Sequence, residues 1–342
     1  MPTRSELVER VADYTVARDM ESEDWQKAVA VNGLIATGRD RYVDAARRLI
    51  DRSIETQIDT GQLSYGSLDQ KSFTTASGAN YQSQTDPAAL ARAALEFYER
   101  TGEERYLDGA RGEYEFLTEQ AQRTADGGIT HHKGAERELW VDAIYMIVPS
   151  LAKYGAVTDI AAAFDEAASQ ALVLSKHLMD PHEDLYRHQW RETPNTYPQP
   201  TFWSRGNGWA LAGIIDALEY LPDDHDDRDE LVGIAQDLAA ALLPLQDRSG
   251  YWHNILDDPQ SPLETSGTLM FAYGFTRGLE TGVLEGEAYR EAAEAGMAVC
   301  EGIVDDDGAV KRVVGPPGGP GVPFAVTSYG QGWFLLAASE VA

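Results

Sequence analysis

Seven consecutive residues, Trp203-Ser204-Arg205-Gly206-Asn207-Gly208-Trp209, combine side chains suited to reading an acidic sugar. An indole face stacks on a sugar ring, and the planar guanidinium fork matches a carboxylate. The two glycines would let a ligand approach the main chain closely. A plainer reading of the same stretch is a glycine turn opening a helix in which Trp209 is simply core. Acid–base groups lie elsewhere, at Asp86 and at Asp142, two residues after Trp140. On a helix, Asp142 would meet Tyr145, Met146 and Pro149 at the +3, +4 and +7 positions, an apolar setting. Such a setting raises a carboxyl pKa, a second carboxylate nearby raises it further, and a general acid at neutral pH needs that shift. Both aspartates could instead be helix-start carboxylates facing the dipole, and Glu264-Thr265-Ser266 reads as a helix cap. His131, His132, His188 and His253 fall on loops. Adjacent His131 and His132 point opposite ways in extended chain, so at most one faces a shared pocket, taken here as His132.

Other chemistries are disfavoured. There is no H-x-H, HExxH or CxxC spacing, so no metal site is expected. No G-x-S-x-G elbow, Walker A loop or dinucleotide fingerprint occurs. The net charge of -28, from 56 acidic and 28 basic residues, argues against nucleic acid and anionic membrane as partners. Only six of the basic residues are Lys, and the acidic ones are scattered, with no acidic tail. Uniform acidity with little lysine suits a cytoplasm rich in salt, where screening relieves self-repulsion. The single cysteine, Cys300, excludes an internal disulfide and fits a reducing compartment. Neither a signal-peptide pattern nor an apolar run of about 18 residues is present, so a soluble cytoplasmic protein is expected.

The elements that must position these residues show in a repeat. An aromatic or apolar residue followed at +3 and +4 by small ones recurs at Tyr42/Ala45/Ala46, Tyr106/Gly109/Ala110 and Phe164/Ala167/Ala168. Leu231/Ile234/Ala235 and Tyr289/Ala292/Ala293 continue it, the copies lying 58 to 67 residues apart. Each opens a helical pattern that ends about 20 residues later at a breaker: Gly61, Gly127, the turn from Asp180 to Asp184, Gly250 and Gly308. A second helix set, richer in Ala, Gly and aromatics, runs near 23–36, 87–100, 139–154, 207–220, 266–280 and 330–341. With a helix near 4–18 added to the first set, six and six alternate. The expectation is an all-α (α/α)6 barrel, one catalytic domain over residues 1–342, with the second set inside. Asp86, Trp140, Asp142, Arg205, Asn207, Trp209, Glu264 and Tyr329 all fall at the N-terminal ends of inner helices, which would meet at one mouth where helix dipoles favour an anion.

In combination, several segments resemble the unsaturated uronyl hydrolases of glycoside hydrolase families 105 and 88. They are Trp140-Val141-Asp142-Ala143-Ile144-Tyr145-Met146-Ile147-Val148-Pro149, Trp203 to Trp209, Glu264-Thr265-Ser266, and Gly330-Gln331-Gly332-Trp333-Phe334-Leu335-Leu336-Ala337. Asp86, followed by Leu95-Glu96-Phe97-Tyr98-Glu99-Arg100-Thr101-Gly102, fits as well. The Arg-Gly-Asn-Gly-Trp form resembles family 105, the rhamnogalacturonyl type, whereas family 88 typically shows Gln-Ala in place of Asn207-Gly208. Ala143 departs from the Asp or Gly often found there, leaving the preceding acid intact. The resemblance implies hydration of the C4=C5 double bond of a small lyase-made oligosaccharide, without a cofactor. Asp142 would be the acid and base, with Asp86 holding it protonated and placing water. Arg205 would meet the carboxylate, Trp140, Trp203 and Trp209 would line the site, and Asn207, His188 and one of His131 or His132 would contact substrate. Another barrel enzyme, a sugar 2-epimerase or an inverting glycosidase, would share this architecture, as would a sugar-binding protein without chemistry.

Overall fold

A computed structural model describes residues 2–18, 20, 25–64, 73–74 and 80–341. Among these lie twelve α-helices: α1 (Arg4–Ala17), α2 (Trp25–Ala36), α3 (Asp40–Glu55), α4 (Ala88–Thr101), α5 (Glu104–Glu115), α6 (Asp142–Thr158), α7 (Ala161–Leu178), α8 (Ser204–Tyr220), α9 (Arg228–Leu242), α10 (Thr265–Glu280), α11 (Glu287–Glu301) and α12 (Ser328–Glu340). The even-numbered helices form a closed ring. Each packs on the next, α2 on α4, α4 on α6, α6 on α8, α8 on α10 and α10 on α12, and α12 closes on α2. The odd-numbered helices wrap outside them, so the chain folds as an (α/α)6 barrel.

Composition sets which ring is inner. Ser204 to Leu218 of α8 and Ala143 to Gly155 of α6 are buried on every side, as a helix enclosed by neighbours must be. In the outer α3 burial is confined to Tyr42, Ala45, Ala46, Ile50 and Ser53, one stripe of an otherwise charged helix. The sequence repeat is therefore the inward stripe of the outer ring, its small residues letting the two layers approach. All five breakers take positive φ: Gly61 (94°), Gly127 (97°), Asp184 (53°), Gly250 (94°) and Gly308 (93°). Asp184 stands in the third repeat where the others use glycine, and its N–H closes the turn onto Asp180 O at 2.9 Å.

Short antiparallel ribbons crown the ring at the N-terminal ends of the inner helices. Glu138–Trp140 pairs with Gln189–Arg191, which pairs with Thr196–Gln199. Val313–Val314 pairs with Phe324–Ala325, and Trp252–His253 with Leu263–Glu264. Helices α4, α6 and α8 follow Pro87, Val141 and Trp203, none of which caps them with a side chain, and several of their first N–H groups donate to nearby main-chain carbonyls, Ala88 N to Thr85 O and Ser204 N to Asn254 O among them. By contrast α10 is capped by Glu264, which accepts from Ser266 N and Gly267 N as expected. No helix among the described residues is long and apolar enough to cross a membrane.

Candidate active site

The ribbon register brings the acid–base residues together. Trp140 pairs with Gln189, and Val141 N donates to His188 O at 3.0 Å, so His188 stands directly beside the start of α6. There His188 Nε2 lies 3.3 Å from Asp142 Oδ2, off the line of a good hydrogen bond, while its Nδ1 meets Gln199 Oε1 at 3.0 Å. From the other side His131 Nε2 comes within 3.8 Å of Asp86 Oδ1, and its Nδ1 meets Thr85 Oγ1 at 2.8 Å. Half-buried Trp140 forms the wall between the two histidines, stacked on His131 at 4.3 Å and 14° and edge-on to His188 at 5.5 Å.

Two expectations are corrected here. His131, and not His132, is the histidine against the carboxylates; His132 packs edge-on to both His131, at 4.5 Å, and Trp140, at 5.0 Å, one ring further from Asp86. The raised acid is Asp86, and not Asp142. Burial, and after it the charge of Asp142, push Asp86 up to about 7. Burial also pushes Asp142 upward, but His188, His131 and Arg205 outweigh it and hold this carboxyl below its ordinary value. Burial drives His131 down to about 4, which keeps it neutral. Below about pH 7 the pair thus carries one proton, on Asp86, next to an ionised Asp142 whose side chain is the more exposed, 15% against 5%.

Arg205 lies beyond His188, separated from it by Trp203. It sits in the first turn of α8, which begins earlier than the sequence pattern suggests. The buried guanidinium is clamped between the Trp203 ring at 4.2 Å and the Tyr329 ring at 4.6 Å. Nη1 donates to Val314 O at 2.7 Å and to Ser266 Oγ at 3.3 Å. Nε and Nη2, the edge of the fork that grips a carboxylate side-on, are buried and have no partner.

The family description "Glycosyl Hydrolase Family 88" matches residues 4–342. The chain belongs to that family. It is 26% identical over 356 residues to the unsaturated rhamnogalacturonyl hydrolase YesR of Bacillus subtilis, covering 98% of this chain and 95% of that one. An unsaturated 3S-rhamnoglycuronyl hydrolase of an Alteromonas species is 31% identical over 60% of this chain, which spans only 51% of that protein. Among solved structures, a possible GH105 member from Salmonella enterica superposes with a TM-score of 0.84 at 25% identity, covering 99% of this chain and 94% of that one.

Not every residue of the family 88 segments faces the site. Asn207 is spent on the main chain: Oδ1 accepts from Tyr186 N at 2.7 Å, and Nδ2 donates to Tyr186 O and Trp203 O, each at 3.0 Å. With its polar atoms used, Asn207 holds the segment that carries His188 and is not placed to touch a ligand. Trp209 is fully buried against Trp25, Tyr145 and Trp333 in the barrel's aromatic centre, so its faces are taken. Trp203 is likewise enclosed by His188, Arg205 and Gly318, and serves as a shelf for the guanidinium in place of a sugar wall. The space beside Gly206 and Gly208 is filled by Val141 and Met270, not left open to a ligand. Sequence reasoning missed Gln199, Ser266 and Val314 as contributors; Ser266 was visible only as part of a cap, and the other two carry no local signal.

Proposed function

We propose that this family 88 enzyme releases a 4,5-unsaturated uronic acid from the non-reducing end of lyase-made oligosaccharides, of the rhamnogalacturonyl type, by hydrating the C4=C5 vinyl ether. The observation that carries the reading is two carboxyls, Asp86 and Asp142, set against His131, His188 and Trp140 and near a buried arginine whose carboxylate-gripping edge is unpaired. The uronate carboxylate docks on Nε and Nη2 of Arg205, with Trp140 as the stacking wall and His131 and His188 as hydrogen-bonding partners. Binding then changes the proton balance. The incoming anion adds negative charge near Asp142, which raises that carboxyl against the hold of His188 and offsets Arg205, the least of the influences keeping it down, and the proton of Asp86 passes to Asp142 within the pair. Being the more exposed carboxyl, it is also the one able to reach substrate.

Asp142 donates that proton to C4, and the developing cation at C5 is shared with the ring oxygen. Water adds at C5, giving its proton to the Asp142 carboxylate. The hemiketal so formed opens: the C5–O bond to the ring oxygen breaks, C5 becomes a ketone, and the freed C1 hemiacetal expels the remaining sugar. Hydrogen and oxygen of one water are thereby accounted for, and no redox partner is needed.

Asp142→Asn tests this. We expect kcat to fall by about a thousandfold, with substrate binding by calorimetry within about threefold of the parent. In D2O the parent enzyme should place deuterium at C4 as the sugar leaves. Full activity of the variant, or a product quenched early without label at C4, would refute the hydration scheme.

We further place the enzyme as one catalytic domain in the cytoplasm of a salt-loving cell. The closed ring from α2 to α12 supports the first point. The lone buried thiol of Cys300 and the charge of -28 support the second.

A further inference from the structure

Arg205 raises a physical problem. A guanidinium this deeply buried should be paired with a carboxylate, because an uncompensated buried charge is strongly destabilising. A direct partner, however, would occupy the edge that the substrate needs. No carboxylate lies within ion-pair distance of Arg205 among the described residues, yet one stands a single group behind it.

That group is Glu264, fully buried at the start of α10. Its Oε1 accepts from Ser266 Oγ at 2.7 Å, Ser266 N at 2.9 Å and Val314 N at 3.0 Å, and its Oε2 from Gly267 N at 2.6 Å. The two groups that hold Arg205 Nη1 are the Ser266 hydroxyl and the Val314 carbonyl. Glu264 sets both. By taking the hydroxyl hydrogen of Ser266, it leaves that oxygen's lone pairs to face the guanidinium. By taking the Val314 N–H, it fixes the short ribbon strand whose carbonyl accepts from Arg205 and from Tyr329 Oη. Tyr329 in turn covers the second face of the guanidinium.

We propose that Glu264 is the positioning residue for Arg205. It supplies the compensating negative charge through Ser266 and Val314, thereby fixing the guanidinium while leaving Nε and Nη2 unpaired for the substrate carboxylate. This rests on the reading of Arg205 given above. Capping α10 alone would need only the two N–H groups of Ser266 and Gly267; the bonds to Ser266 Oγ and Val314 N reach beyond the cap.

The test compares an unsaturated disaccharide with its uronate methyl ester, which keeps the double bond and loses the charge. Glu264→Gln, Ser266→Ala and Arg205→Lys are each assayed for kcat and KM by loss of the vinyl-ether absorbance. We expect Glu264→Gln to raise KM for the acid about tenfold with kcat within about twofold, and to shrink the acid-over-ester preference. Ser266→Ala, which leaves the carboxylate and both cap bonds in place, should shift the preference in the same direction. Adding Glu264→Gln to Arg205→Lys should cost little more than Arg205→Lys alone. If Arg205→Lys loses the preference while Glu264→Gln and Ser266→Ala both keep it, Glu264 is merely a cap and the proposal falls. If Arg205→Lys itself keeps the preference, the reading of Arg205 falls, and this proposal with it.

Discussion

Asp86 and Asp142 are the same side chain in two surroundings, and their difference decides who holds the proton. Among the described residues Asp86 meets the hydroxyls of Ser83 and Thr85 and the neutral imidazole of His131, so burial and the charge of Asp142 dominate and carry it to about 7. Asp142 has His188 and His131 beside it and the Arg205 charge within reach, and these reverse the effect of burial. The sign of the pH dependence follows. Below about 7 the free enzyme carries the proton on Asp86; above it the pair becomes two adjacent carboxylates with no proton to give. We expect kcat/KM to fall with the slope of one ionisation as pH rises through about 7, since that parameter reports the free enzyme. Asp86→Asn should lower activity and remove this limb; a limb that persists near the same pH in the variant would assign it to another group. That Asp142, Asp86, Trp140 and Arg205 gather at one end of the ring was legible from their places at helix starts. Their pKa order was not, because the groups that set it arrive from residues 131, 188 and 205, and distances between segments are not written in local pattern. For the same reason the choice between His131 and His132 waited on the ribbon that turns one of them inward.

At the scale of elements, the sequence periodicity translated almost directly into structure. The six inner and six outer helices, the breakers and the inward stripe of the outer ring all follow from apolar spacing and turn residues. The ribbons at the mouth were harder to foresee, being only two to four residues per strand and too short for alternation to register. One loop among them has a consequence for the site. Between Val314 and Phe324 the chain runs through Gly315-Pro316-Pro317-Gly318-Gly319-Pro320-Gly321, and Gly318 lies flat on the Trp203 ring. A Cβ placed on Gly318 would stand 2.0 Å from Trp203 Cζ2, at a φ of 88° that side chains rarely adopt. Gly319 O also accepts from Asn254 Nδ2 at 3.0 Å, so the loop is tied down on the far side of the indole. Gly318→Ala must therefore lift the loop or tilt the indole, and either movement disturbs the shelf on which Arg205 rests. We expect KM to rise about fivefold or more, with a loss of about 1–2 kcal/mol in stability by denaturant unfolding. Unchanged KM with lowered stability would show that the loop serves the fold alone.

Over the whole molecule, two electrostatic scales oppose each other. The protein carries -28 overall, and an anionic substrate must cross that field to reach the buried Arg205. The field is diffuse and the cation is enclosed, so salt acts on them unequally. At about 0.01 M salt the Debye length is about 30 Å, and most of the surface charge reaches the mouth; at about 0.15 M it is about 8 Å, and only nearby groups do. Arg205, buried and clamped between Trp203 and Tyr329, is screened far less by the same salt. Adding salt should therefore remove repulsion sooner than it removes attraction. KM for the unsaturated disaccharide should fall between about 0.01 and 0.15 M KCl, whereas a pocket governed by exposed arginines would show a rise. Stability should move the same way. Acidic residues outnumber basic ones two to one, and two of the six lysines, Lys27 and Lys153, are buried and give the surface little positive charge to offset repulsion. Raising KCl to about 2 M should lift Tm by about 10 °C or more, most of it appearing before hydration effects of the salt become large. A Tm that is flat or falling over that range, or a KM that climbs from the lowest salt upward, would mean that the acidic surface is incidental and that attraction at the mouth is carried by exposed groups.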